Sequence, residues 1–213
     1  MVAVLKRSAS WCLHVVALVV GRVQTEVVAR RHGGGRLWVL DLDNTLADTW
    51  PSFLGEHPSE RARLAGLEPL AGMIEATHHA ARREGAGTVV LSHRAIRHWG
   101  VTRSWLRRHG ITLRWWELVL VDSPADKVAH LRRWCSAGCD VVYWDDLTHG
   151  TERGREERYD AVIAAVAALP LVHHGVEEIA AVVAVADPGR SERVAALLEE
   201  VGLGADGGRS GGR

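Results

Sequence analysis

Several residue types are scarce in this chain, and each scarcity excludes a class of protein. Only three of the 213 residues are cysteine, Cys12, Cys135 and Cys139. Three cannot build the paired framework of a small secreted domain, and none forms the C-x2-C spacing of a zinc knuckle. Net charge is absent too, with 26 basic residues against 26 acidic ones. A protein that coats polyanions is thereby excluded, although a local basic face is not. No apolar run approaches the roughly 20 residues needed to cross a bilayer, so no stable membrane insertion is expected. Lysine is nearly missing: the basic residues are 24 arginines and two lysines, Lys6 and Lys127. With Ala, Val and Gly abundant, this resembles a GC-rich coding bias, so a position needing only positive charge should read Arg.

What is present describes a globular chain. Hydrophobic residues make up 47% and charged residues 24%, the balance of a folded protein and not of a disordered one. The length suits one domain with appendages. Residues 1–33 place Lys6 and Arg7 ahead of the apolar run 11–20, which Arg22 closes. That order is a secretory signal's, but no small-x-small cleavage site follows. A buried or partner-packed helix, or an extension from an upstream start codon, fits the same residues. The expected location is cytoplasmic, with export left open by the signal-like order. Residues 30–35 (RRHGGG) read as a linker. A domain over 34–187 follows, then 188–213 as a C-terminal helix and a Gly-rich tail too flexible to order.

From Arg36 onward short apolar runs alternate with longer helical stretches. Residues 37–40 (LWVL), 88–91 (TVVL), 118–121 (LVLV) and 141–144 (VVYW) are near-continuous, as strands buried on both faces are. Helices are expected at 70–84, 96–109, 125–135, 158–168 and 176–185, with a further short strand at 171–173. Strand–helix alternation predicts a doubly wound α/β fold, a mostly parallel sheet with helices on both faces. In such sheets ligands bind outside the carboxyl ends of the strands. Those ends carry Asp41 and Asp43, then Ser92 with His93 and Arg94, then Lys127 after a short loop, then Asp145 and Asp146.

These groups make chemical sense around one phosphoryl group. Asp41 and Asp43 are two apart, so in extended chain their side chains point the same way. A carboxylate from another strand would make a cluster that repels itself unless a cation intervenes. Mg2+ takes few carboxylates, several waters and phosphate oxygens, and this site offers that mixture. Ser92 can donate to a phosphate oxygen and Lys127 can offset negative charge. A lysine at that place, in so arginine-rich a chain, points to a need for a compact ammonium.

The stretch LDLDNTLADT resembles the first motif of the haloacid dehalogenase superfamily, with its D-x-D-x-T core ending at Thr45. Ser92 is similar to the second motif, Lys127 to the third, and Asp145-Asp146 to the acidic fourth, in matching order over residues 36–150. The resemblance implies a Rossmann-like domain and a Mg2+-dependent phosphomonoester hydrolase acting through an aspartyl-phosphate. It implies that Asp41 attacks phosphorus and that Asp43 serves as acid and then base, its backbone carbonyl helping to hold Mg2+. Ser92 and Lys127 would bind the phosphoryl group, and Asp145 and Asp146 would complete the metal site. An acid at position 43 favours phosphatase over dehalogenase chemistry. A response-regulator receiver uses the same residue types, but with the acidic pair on its first strand and the lysine on its last.

The 24 residues from 46 to 69 suit a short flap, and no sizeable cap domain is expected. An open site implies a macromolecular substrate or a lid from another subunit. Residues 93–116 hold six arginines, four tryptophans and no acid. Charge interleaved with rings suits a nucleic-acid strand. Helical spacing equally explains Trp99 and Trp105 as core and the arginines as a solvated face. The stretch around Thr102, Trp105 and Gly110 also resembles, more weakly, the phosphatase domain of polynucleotide kinase-phosphatases. The expected substrate is a phosphorylated small molecule or a nucleic-acid end, with a non-catalytic phosphate-binding scaffold as the competing class. Thr45, His93 and Arg94 are further candidates for touching it. Trp115, Trp116 and residues 171–185 are candidates for a homodimer interface.

Overall fold

The structure is a computed structural model that describes residues 2–82, 85–149 and 157–184, with side chains from His14 onward except at His149. The helix and tail expected at 188–213 lie outside the described residues. In chain order the elements are α1 (Val2–His32), β1 (Arg36–Leu40), β2 (Ala47–Asp48), α2 (Glu60–Ala65), β3 (Glu68–Pro69), α3 (Ala71–Ala81) and β4 (Gly87–His93). They continue as α4 (Trp99–Arg108), β5 (Leu118–Val121), α5 (Pro124–Ser136), β6 (Asp140–Trp144), β7 (Thr148–His149), β8 (Glu157–Arg158), α6 (Asp160–Ala167), β9 (Val172–His174) and α7 (Val176–Val183). Short 3-10 turns occupy Trp50–Phe53 and Ile96–His98.

Five of the apolar runs pair as one sheet in the order β5-β4-β1-β6-β9, and every neighbouring pair is parallel. Their continuous hydrophobicity has a direct cause, because alternate residues feed two separate cores. Leu37, Val39, Val89, Leu91, Val119, Val121, Val141 and Tyr143 pack with residues of α1, α5 and α6 on one face. Trp38, Leu40, Val90, Leu118, Leu120, Val142 and Trp144 pack with α2, α3, α4 and α7 on the other. Each fully buried side chain of this size contributes about 1.5–3 kcal/mol. The helix–helix contact on the second face needs a glycine. A Cβ at Gly72 of α3 would run into the backbone of Val182 in α7.

The helix α1 extends through Arg30 and Arg31, which the sequence placed in a linker. It stops only at Gly33–Gly35, where Gly34 takes a φ of +80° that side chains disfavour. Arg30, Arg31 and His32 in its last turn complement the helix dipole. Val28 and Ala29 lie in the core, and buried Gln24 donates to the carbonyls of Trp115 and Leu118 at 2.6 and 2.9 Å. Glu26 and Arg133 form a two-point pair at 2.7 and 2.8 Å. The packing of the domain therefore begins inside residues 1–33. Among the described residues no helix is long and apolar enough to cross a membrane.

Between β1 and α3 the chain makes only a flap. Its ends, β2 and β3, pair antiparallel, and the largest element within it is the six-residue α2, which leans on α4. The chain steps outward from β1 to β4 to β5 and then returns to place β6 on the other side of β1. The connection thus reverses direction between β1 and β6, and the crevice beyond their carboxyl ends is the natural ligand site of such a sheet.

Candidate active site

Asp41 and Asp145 are the first residues past β1 and β6, and their backbones are still held by the sheet. Asp41 N–H donates to Trp144 O at 2.8 Å, and Asp145 N–H to His174 O at 3.1 Å. Both side chains are almost wholly buried at the switch point. Lys127 reaches them from the first turns of α5, a helix started by Pro124 and capped by Ser123. Its Nζ lies 2.6 Å from Asp145 Oδ2 and 3.1 Å from Asp41 Oδ1. The Asp41 contact is an ion pair, and Asp41 Oδ1 has no other partner among the described residues. Asp145 has no such freedom. Its Oδ2 also accepts from the Tyr143 hydroxyl, and its Oδ1 accepts from Leu147 N–H at 2.9 Å. That last bond accompanies a left-handed backbone at Leu147, φ +48°, which costs a leucine about 1–2 kcal/mol.

Asp146 is bound on one side only. The Thr148 hydroxyl and the Asn44 amide, the latter at 3.4 Å, both donate to Oδ2. Asn44 occupies a tight turn in which Leu42 O accepts from Leu46 and Ala47 N–H. Its own φ of +56° is one that Asn tolerates better than most residues.

Asp43 does not join this cluster. The turn after Asp41 sends its carboxylate to Arg94, whose Nε lies 2.7 Å from Oδ2 and whose Nη2 lies 2.5 Å from Oδ1. The Thr49 hydroxyl donates to Oδ1 at 2.6 Å. β1 ends at Leu40, so extended-chain spacing does not set the two directions; the carboxylates part, one to Lys127 and one to Arg94, yet both residues line one cavity. Arg94, expected at the substrate, is spent on Asp43, and its side chain is 4% exposed.

The remaining candidates divide. Strand β4 runs on to His93, so Ser92 and His93 lie within it and not beyond it. The hydroxyls of Ser92 and Thr45 are buried and without a hydrogen-bond partner. The His93 side chain instead lines a cavity of about 160 Å3 together with Asp41, Asp43, Asn44, Phe53, Lys127, Asp145 and Asp146. A larger cavity of about 510 Å3 lies between α1 and α5, away from the carboxylate cluster. Thr49, Thr148, Tyr143, Asn44 and Phe53 were not singled out by sequence. Only Tyr143 carried a signal, since it lies two residues before Asp145 on the same strand face.

Charge is unevenly compensated. Burial, with Asp145, Asp43 and Asp146 adding to it, raises the Asp41 carboxyl to about 8 against the pull of Lys127. Burial and then Asp145 raise Asp146 to about 6. Burial acts against the Lys127 ammonium, but Asp145 and Asp41 outweigh it and push its pKa up. Asp43 is the opposite case: burial opposes ionisation, and the Arg94 guanidinium still holds it below the usual carboxylate range. Burial lowers the His93 imidazole, with Lys127 reinforcing it.

Asp41, Asp145 and Asp146 each offer an oxygen within 4.8 Å of the others. When all three carboxylates are ionised, they exceed the one ammonium of Lys127 by two negative charges, and without a cation the raised Asp41 carboxyl relieves this by holding a proton. All-oxygen donors, an excess of carboxylate over ammonium and an Asp41 Oδ1 with no partner beyond Lys127 among the described residues fit a hard divalent cation such as Mg2+.

The basic, aromatic stretch is partly committed elsewhere. Trp105 is fully buried with Nε1 donating to Leu67 O at 2.8 Å, and Trp99 donates to Leu118 O at 3.2 Å. Arg103 lies over the Trp99 ring, and Arg97 pairs with Glu60 at 3.2 Å. Trp115 remains 44% exposed.

Fold and site together define an α/β protein with an all-parallel, Rossmann-like sheet and a lysine-bridged acidic cluster at its switch point. No protein-family model matches the chain, and a search of curated proteins finds no match.

Proposed function

We propose that the protein is a Mg2+-dependent phosphomonoester hydrolase of the haloacid dehalogenase type, working through an aspartyl-phosphate on Asp41. The observation that carries this reading is the Lys127 ammonium set between Asp41 and Asp145, beside Asp146, where the strand order reverses. A carboxylate held beside a fixed cation is what a nucleophile toward an anionic phosphoryl group requires.

In the first half-reaction an Asp41 carboxylate oxygen forms a bond to phosphorus while the bond from phosphorus to the alcohol oxygen breaks. Asp43 hands a proton to that oxygen, which requires the ester to loosen the Arg94 pairing that keeps Asp43 ionised. In the second half Asp43 takes a proton from water, the resulting oxygen attacks phosphorus, and Asp41 leaves as carboxylate. Arg94 and Thr49 aim the Asp43 carboxylate for both steps. Lys127, which lines the cavity, holds phosphoryl oxygens, and the buried, unpartnered Ser92 hydroxyl, one residue before His93 of the lining, is the candidate for a second donor. Asp41 and Asp146 would hold Mg2+, with Asp145 steadying Lys127 and the Leu147 turn. Bound Mg2+ supplies the positive charge that offsets the surplus carboxylates and draws electrons from phosphorus.

The test is release of inorganic phosphate from a panel of phosphate esters, with Mg2+ and with EDTA. The panel spans an aryl phosphate, nucleoside monophosphates, a 3′-phosphorylated oligonucleotide and a phosphopeptide. Mg2+-dependent release that disappears in Asp41→Asn supports the reading. A folded, Mg2+-loaded protein that releases phosphate from none of them sinks it in favour of a binding role.

A further inference from the structure

The cavity over Asp41 is small. About 160 Å3 accepts a phosphoryl group and little more, so the alcohol portion of an ester extends beyond it, past Phe53 at the flap or toward an adjoining cavity of about 270 Å3 that shares Asn44, Asp146 and Thr148. Alongside the half-buried Tyr159, the cavity over Asp41 is lined by a second aromatic residue, Phe53, the only phenylalanine in the chain. It closes the 3-10 turn Trp50–Phe53 of the flap and lines the same cavity as Asp41, Asp43 and Lys127, yet it is 45% exposed. A single exposed hydrophobic residue is ordinary. A ring that is both exposed and part of the wall of the phosphate cavity is not.

The ring is also supported from behind. The Arg63 guanidinium lies over one face, 4.3 Å from the ring centroid. Arg63 Nη1 donates to Ser52 Oγ at 3.0 Å, and Ser52 Oγ donates to Thr49 O at 2.6 Å. Thr49 in turn holds Asp43. The ring and the proposed acid–base group are therefore braced by one short run of the flap.

We propose that Phe53 is a stacking platform for an aromatic ring in the alcohol portion of the substrate, so that the preferred phosphomonoesters carry an aryl group or a nucleobase. This rests on the phosphomonoesterase reading of the Asp41 site. Face-to-face or edge contact with such a ring raises selectivity by roughly 3- to 10-fold over an alkyl group.

The experiment compares kcat/KM for phenyl phosphate, a nucleoside monophosphate and glycerol phosphate in wild type, Phe53→Ala and Phe53→Trp. Alongside it, binding of phenylphosphonate and of methylphosphonate is measured by calorimetry, which needs no turnover. The expected result is a fall of roughly 3- to 10-fold in the aromatic-to-alkyl ratio in Phe53→Ala, carried by KM and restored in Phe53→Trp. Phenylphosphonate should bind wild type more tightly than methylphosphonate does and lose that advantage in Phe53→Ala. Whether phenyl phosphate or the nucleotide falls further tells a simple aryl group from a nucleobase. Hydrolysis of all three esters with the same ratio in wild type and Phe53→Ala overturns the platform and leaves the phosphatase standing. No hydrolysis, but a Phe53-dependent preference for phenylphosphonate, overturns the phosphatase and keeps the platform.

Discussion

Arg94 grips Asp43 at two points, Nε to Oδ2 at 2.7 Å and Nη2 to Oδ1 at 2.5 Å. The arginine side chain is 4% exposed and the aspartate 27%, so the pair is largely but not wholly desolvated. Arg94→Ala leaves a partly buried carboxylate without its counterion and should destabilise the fold by roughly 2–4 kcal/mol at neutral pH. Arg94→Lys keeps the charge but not the fork and should recover only part of that loss. Urea unfolding of the three proteins measures it, and equal stabilities would show that the pair has no structural weight.

Lys127 is the ammonium between Asp41 and Asp145. Lys127→Met should cost about 3–5 kcal/mol at pH 7.5, because two buried carboxylates lose their nearest cation. The loss should shrink near pH 5, where the raised Asp41 carboxyl is fully protonated. A variant equally destabilised at both pH values would mean that lost packing, not lost charge, is the cause.

The raised Asp41 carboxyl has a consequence for stability in EDTA. Its folded value of about 8 lies above that of an unfolded aspartate, so the native state holds the proton longer. Stability from this group therefore falls as pH rises through the window and stays lost above it. Below about pH 6.5 the lowered histidines, His93 among them, act in the opposite sense. Depressed Asp43 adds stability that is lost only as pH falls through its lowered value. Between about pH 6.5 and 8, wild type should lose up to about 2 kcal/mol relative to Asp41→Asn. Thermal melts at the two pH values decide it, and parallel curves for the two proteins would refute the assignment.

Mg2+ should stabilise the folded chain through Asp146. With a dissociation constant of about 1 mM, about 10 mM Mg2+ adds roughly 1.4 kcal/mol. Asp146→Asn should remove that gain, because it neutralises the cluster carboxylate whose described hydrogen bonds both fall on one oxygen. Thr148→Val should reduce it less. A Mg2+-induced rise in melting temperature that survives in Asp146→Asn would move the ion elsewhere.

Much of this architecture was legible in the chain because burial on both faces writes itself as continuous apolar runs. The run 118–121 coincides with β5, and the other three differ from β1, β4 and β6 by one or two residues at their ends. The parallel arrangement followed from the helices between them. Asp41, Lys127, Asp145 and Asp146 were legible for a related reason: each follows a strand, or the turn after it, at the edge where the sheet opens. Arg94 was read by position and charge alone, which cannot tell a residue that meets a ligand from one that meets a neighbouring carboxylate. Thr49 and Phe53 lie in a flap with no periodicity to mark them.

By itself, then, the order of residues determined the alternation of strand and helix and the kinds of group at the strand ends, since both are local properties of pattern and spacing. Which strands became neighbours was decided only in three dimensions, where β6 comes to lie beside β1 and brings Asp145 to Asp41. The partition of the charges was decided there as well. Lys127 goes to one aspartate of the D-x-D pair and Arg94 to the other, because the chain turns sharply after β1. Coulomb attraction between buried groups depends on distance and desolvation, and neither exists until the sheet has formed.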